Sequence, residues 1–318
     1  MNWLKKFKYN PMESLQNFNA REINYFIEKD LLNIPKKEDE LWNLPEVIKL
    51  INKQESGGFW KYPGGDKRFR SEDYNQIETY RNFGILIEKY GLNKNHRAIS
   101  NAAKYLFSCQ TDIGDFRGIY GNQYTSNYSA GIMELLIKAG YEKDARIVKG
   151  FEWLLSIRQN DGGWAIPLRT RQRKLDIIVM EENAIEPDME KPFSHMVTGV
   201  VLRCFAAHPE YRLMDEAKTA GKLLLSDLFK KDNYPERGTP EYWLKFTFPF
   251  WFTDLLSAMD TLSFIGFSGK EPQIKKALDW FIDSQQRDGL WKLKMLKKET
   301  TPYWLTLSIC RVMQRFYN

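Results

Sequence analysis

The most informative charge in this sequence is Asp254, set in the apolar stretch FWFTDLL. An unpaired carboxylate is costly to bury, and burial raises its pKa. A carboxyl kept protonated near neutral pH can act as a general acid, or it can orient a hydroxyl. The structural alternative is an Asp satisfied by an Arg or Tyr of a neighbouring helix. His195 opens a second apolar run soon after Pro192 and shares a helical face with Thr198 and Leu202. It can orient Asp254 or a ligand, or it can be a satisfied structural histidine. Asp260 follows Asp254 on a different side of a helix, so these two carboxylates do not form an acid–base pair.

Around these two candidates stand aromatic and polar residues at the starts of other apolar runs: Tyr80 and Arg81, Tyr124, Asn127 and Tyr128, Trp251, Tyr303 and Trp304. Such rings either line a pocket for an apolar ligand with a polar or anionic head, or fill a closed core. Glu134 lies two helical turns beyond Asn127 and reads as a second buried carboxylate, whereas Glu78 and Arg81 read as an ion pair. Arg169 and Arg171, in PLRTRQRK, can bind a phosphate or carboxylate or belong to a solvated basic loop. The segment from Leu175 to Pro192 reads as a lid or as a disordered insertion.

An internal repeat accounts for the placement of these residues. INKQESGGFW, FSCQTDIGDF, SIRQNDGGWA and DSQQRDGLWK align on Gln54, Gln110, Gln159 and Gln285 or Gln286. The spacing is about fifty residues, with a last interval near twice that, so a degenerate copy is expected midway, at Lys222 to Gly238. A helix with one apolar stripe precedes each turn, as in Ile274, Ala277, Leu278, Phe281 and Ile282. A helix apolar on all sides follows, as in SAGIMELLIKAG, SHMVTGVVLRCFAA and FWFTDLLSAMDTLSFIGF (Phe250 to Phe267). One-sided helices face water and all-round helices are enclosed.

The alternation predicts an all-α, α/α toroid of five to six hairpins, with six inner helices, five outer helices and a central cavity. The domain expectation is one toroid over 1–318, with 1–40 forming a helix and arm that close the barrel. The N-termini of the inner helices should then gather at one mouth, where helix dipoles favour anions. In the turns, glycine permits the tight reversal. The Gln is expected to satisfy the helix end while the Trp ring covers its amide.

The repeats resemble those of the terpenoid cyclase and protein prenyltransferase superfamily, the squalene–hopene cyclase type, over roughly residues 44 to 318. The resemblance implies the toroid and an apolar isoprenoid-like partner. It also implies possible isomerase or transferase chemistry, with Asp254 and His195 as the catalytic candidates. Two family signatures are missing: no Asp-x-Asp-Asp acid occurs, and Cys310 has no neighbouring Asp-x-Cys or following His for a zinc site. No metal or cofactor is expected. Two other readings stay open: a non-catalytic scaffold for a peptide or protein, and a carbohydrate-active toroid using Asp254 with Glu134 or Glu78.

Composition bounds the rest. A chain of 318 residues with 43% hydrophobic and 28% charged residues is globular. A net charge of +6 without a basic stripe excludes nucleic acid as a first partner. Three separated cysteines and the absence of a signal-like apolar start place the expectation in the cytoplasm. WLKKFK (Trp3 to Lys8) and KLKMLKK (Lys292 to Lys298) allow at most weak peripheral membrane contact, or are simply solvated.

Overall fold

The computed structural model describes residues 2–64, 73–178, 181–295 and 301–318. In chain order the helices are α1 (Pro11–Asn17), α2 (Arg21–Phe26), α3 (Pro45–Ile51), α4 (Tyr74–Tyr90), α5 (Arg97–Ser108), α6 (Ser126–Leu136), α7 (Ala145–Ser156), α8 (Pro167–Thr170), α9 (Leu175–Ile178), α10 (His195–Ala207), α11 (Asp215–Ser226), α12 (Leu255–Ile265), α13 (Pro272–Ser284) and α14 (Pro302–Tyr317). Among the described residues, strand pairing is limited to isolated bridges.

The two kinds of helix form two layers of an α/α toroid. Outer helix α13 buries Ile274, Ala277, Leu278 and Phe281 along one stripe, and α5 buries Ile99, Ala102, Ala103, Leu106 and Phe107 in the same phase. Inner helix α10 buries every residue except Met196 and Ala207. Inner neighbours pack in sequence, α4 on α6, α6 on α10, α10 on α12 and α12 on α14. The ring closes where α14 meets α1, α2 and the 3-10 turn Asn2–Lys6. Trp3 is fully buried there and Phe7 packs edge-on against Trp291, so the apolar residues expected of a membrane anchor are spent inside the fold. Part of the second basic patch, 296–298, lies outside the described residues. No described helix is long and apolar enough to cross a membrane.

The turns work differently from the sequence expectation. The Trp indole satisfies the helix end: Trp60, Trp164 and Trp291 donate from Nε1 to the carbonyls of Leu50, Leu154 and Phe281. The Gln reaches outward instead. Gln54 Nε2 donates to Gly58 and to Ala98 in the next outer helix; Gln110 does the same to Gly114 and Arg146. At the last turn Gln285, not Gln286, makes the link: it donates to the carbonyls of Tyr9 and Gly289 and accepts from Tyr9 N–H. The tip glycines allow this approach, because a Cβ on Gly114 or Gly289 would strike the backbone of Lys149 or Asn10. Gln159 is the exception. It donates to Asp188 and Lys191, in the long connection before α10.

A second regular device joins turn to inner helix. The backbone N–H groups of Trp60, Phe116, Trp164 and Trp291 donate to the hydroxyls of Thr79, Ser129, Thr198 and Thr306 at 2.9–3.2 Å. In the degenerate repeat Trp243 donates to the Lys230 carbonyl, and Thr247 N–H donates to Asp254 in place of a hydroxyl.

Candidate functional site

The N-terminal turns of α4, α6 and α10 surround a cavity of about 510 Å³, within the usual range for small-molecule sites. Its walls carry five rings, Tyr80, Tyr120, Tyr128, Trp251 and Phe252, and the apolar side chains of Ile77, Ile166, Met196, Val197 and Val200. Tyr80 meets Trp251 edge-on at 5.3 Å between ring centroids, and Tyr120 meets Tyr128 at 5.8 Å. Two glycines make room for this packing. A Cβ on Gly84 would lie 2.7 Å from the Trp251 ring, and one on Gly131 would lie 2.6 Å from the Tyr80 hydroxyl.

Four polar residues complete the lining: Arg81, Asn127, Glu236 and Arg237. Arg81 lies 3.6 Å from Glu78, the expected pair. Glu236 is bound through Oε1 by Arg169, while its buried Oε2 has no partner among the described residues. Asn127 Oδ1 is likewise buried and without a partner among the described residues. The Arg237 guanidinium stacks over the Phe252 ring at 3.2 Å.

Below the cavity a buried ion network ties α6 to α10. Arg203 Nε donates to Glu134 Oε2 at 3.0 Å, and Lys138 Nζ donates to Glu134 Oε1 at 2.8 Å. Burial alone would raise the Glu134 carboxyl, but Arg203 and Lys138 outweigh it and hold the pKa below the ordinary value. Arg203 also donates to the Phe252 carbonyl, which fixes a cavity ring to the network. Glu134, Lys138 and Arg203 face a separate cavity of about 200 Å³ lined also by Asp260 and Phe264.

The structure thus gathers Tyr80, Arg81, Asn127, Tyr128 and Trp251 as expected residues of one cavity, with Arg169 behind Glu236. It places the other candidates elsewhere. Tyr124 packs edge-on against Trp153 and donates to Glu186. Tyr303 stacks on Phe18, and Trp304 stacks on Phe248. Arg171 donates to the carbonyls of Glu186 and Pro187. The segment expected as a lid is stitched to Gln123, Tyr124, Gln159 and Thr170, and none of its described residues lines the cavity.

Asp254 does not lie within a helix. It is the N-cap of α12, in a capping box with Ser257. Its Oδ1 accepts from Ser257 N–H and its Oδ2 from Thr247 N–H. Burial pushes its pKa up to about 7, with the two backbone N–H donors pulling against that rise. His195 faces Asp232 at 3.5 Å and Asp227 at 3.8 Å, and its ring lies over Trp243; it does not meet Asp254. Asp232 also accepts from Ser194 Oγ, Met196 N–H and Tyr234 N–H, so this cluster docks the loop carrying Glu236 and Arg237 onto α10.

Sequence reasoning missed Glu236, Arg237, Tyr120 and Phe252, all on irregular segments, and chose the wrong face of α10. Met196, Val197 and Val200 look into the cavity, whereas His195 and Thr198 look toward the turns. The Pro-Glu-Arg-Gly turn of the degenerate repeat was the available signal, since an irregular copy marks where loops depart from the scaffold. Among the described residues, no group of three or more His, Cys, Asp or Glu side chains is placed to hold a metal ion.

A ring of paired helices around an aromatic-lined cavity defines the class of terpenoid cyclase-like toroids. Residues 138–300, just over half of the chain, match the squalene-hopene cyclase C-terminal domain, and the chain belongs to that family. A squalene–hopene cyclase of Bradyrhizobium diazoefficiens is 26% identical over 153 residues, covering 46% of this chain and 21% of that protein. The matched stretch is therefore about a fifth of that relative. Two structures of variants of the type II terpene cyclase MstE from Scytonema also match. One is in complex with geranylgeranyl dihydroxybenzoate as substrate and the other is apo. Each has a TM-score of 0.50 at 10% identity over 99% of this chain and 96–97% of the other, a likeness of fold.

Proposed function

We propose that this chain binds a prenyl-type apolar molecule in the cavity between α4, α6 and α10. The observation that carries the proposal is the lining of five rings and five apolar side chains, in a cavity large enough for a small ligand. Such a surface removes a flexible hydrocarbon from water and offers ring faces to its double bonds. Family membership and the geranylgeranyl ligand of the MstE complex support the same ligand class. In this proposal residues 1–318 act as one toroidal domain, with 1–40 closing the ring. Titration calorimetry with geranylgeraniol is the test. Saturable binding that Trp251→Ala weakens about tenfold or more is expected, given the area of an indole in a cavity wall. No binding to the wild type sinks the proposal.

A catalytic version of this proposal draws on one observation, the raised pKa of Asp254, which keeps a large share of its carboxyl protonated near neutral pH. Against it, both Asp254 oxygens accept backbone N–H groups, and Glu236, the one carboxylate lining the cavity among the described residues, is ion-paired with Arg169. Gas chromatography of products after incubation with geranylgeraniol decides the matter. Cyclised products lost in Asp254→Asn would establish turnover, and unchanged substrate leaves a binding protein. The carbohydrate version lacks a facing pair, because Asp254, Glu134 and Glu78 do not line the cavity.

A further inference from the structure

We propose that the cavity's ligand ends in a hydroxylated carboxylate, its acid held by Arg237 and its hydroxyl by Glu236. The proposal rests on the cavity-binding reading and specifies the polar end of the ligand. Glu78 lies beside Arg81, and Arg169 holds one oxygen of Glu236, so each of those charges has a counterpart. Arg237 has neither a hydrogen bond nor an ion pair among the described residues; its contact is the Phe252 ring. A guanidinium stacked on a ring leaves its N–H edge free, and that edge matches a carboxylate in a two-point geometry. Partial burial lowers the Arg237 pKa from its usual value, the cost of drawing a cation partly out of water with no acid paired to it among the described residues. An anion seated there would relieve that cost.

Two further observations bear on the same end of the ligand. Arg237 has a left-handed backbone, φ +50°, a conformation that is unfavourable for a non-glycine residue. The loop enforces it: Asp232 N–H bonds the Gly238 carbonyl, and Asp232 is itself anchored to Ser194 and Met196 on α10. Strain retained at a lining residue is a feature of ligand clamps. Beside it, Glu236 Oε2 is a buried acceptor without a donor among the described residues. An O–H on the ligand would supply that donor, since an unsatisfied buried oxygen is unfavourable.

Titration calorimetry at pH 8 with geranylgeraniol, geranylgeranoic acid, a geranylgeranyl benzoate and its hydroxybenzoate analogue tests both contacts. The acid is expected to bind the wild type about tenfold tighter than the alcohol, the worth of a charge-assisted contact. Arg237→Gln should make acid and alcohol bind alike, and Arg237→Lys should restore part of the difference. The hydroxybenzoate should exceed the benzoate severalfold, a gain lost in Glu236→Gln. Equal wild-type affinity for acid and alcohol overturns the Arg237 assignment while leaving the cavity reading intact. Equal affinity for the two benzoates overturns the Glu236 assignment. If no prenyl compound binds, both this inference and the cavity reading fall.

Discussion

Asp254 combines a structural duty with an unusual titration. Its Oδ2 does for the degenerate repeat what the hydroxyls of Thr79, Ser129, Thr198 and Thr306 do for the regular ones, while its Oδ1 caps α12. Its folded pKa near 7 lies well above the ordinary value of 3.8. Between those two pH values the folded chain keeps a proton that the unfolded chain has lost, so this group's stabilising contribution is full below about pH 4 and fades as pH rises through 7. The swing is at most about 4 kcal/mol at ~1.36 kcal/mol per pKa unit. Urea unfolding at pH 5, 6, 7 and 8 should show a steeper decline for the wild type than for Asp254→Asn; parallel curves would remove Asp254 as the source. Burial of this carboxyl was legible from FWFTDLL, and Ser257 three residues on was a readable capping signal. Its second partner, Thr247, lies in irregular backbone and had no periodic signature.

Helix phase and period were the clearest information at the level of elements. Stripes such as Ile274, Ala277, Leu278 and Phe281 can be buried only on one side, and glutamines every fifty residues fix where each hairpin turns. Apolar runs were a poorer guide to ends. Phe250 to Phe267 read as one helix, yet α12 starts at Leu255, and the preceding rings lie in irregular chain, with Trp251 and Phe252 lining the cavity. The face of α10 turned to the cavity was not legible either, since a helix buried all round has no polar side to orient it. Partnering across hairpins can be tested at Gln285. Gln285→Ala removes its bonds to Tyr9 and Gly289, so stability should fall by about 1–3 kcal/mol. Hydrogen exchange should accelerate around Tyr9 before it does at Ala98; protection unchanged at Tyr9 would show that the clip is dispensable.

For the molecule as a whole, alternating enclosed and half-exposed helices determine a toroid, but they do not say where it is hollow. The cavity sits against α4, α6 and α10, while α14 and its neighbours fill their sector with the buried rings of Phe26, Phe248 and Trp304. Ring stacking of that kind depends on side-chain shape across distant hairpins, which a single sequence does not display. The clip at Gln285 also bears on connectivity. Asn2 and Asn318 border one surface cleft, and Lys6 Nζ lies 5.0 Å from the Tyr317 ring. A circularly permuted chain, with a short flexible tether bridging these ends and new ends at exposed Lys143, should regain the same helicity and cooperative melting. The order in which the hairpins are strung is thus one cut among several through a circle, and the seam at Tyr9 is stitched by the same kind of knot as the junctions where the thread continues.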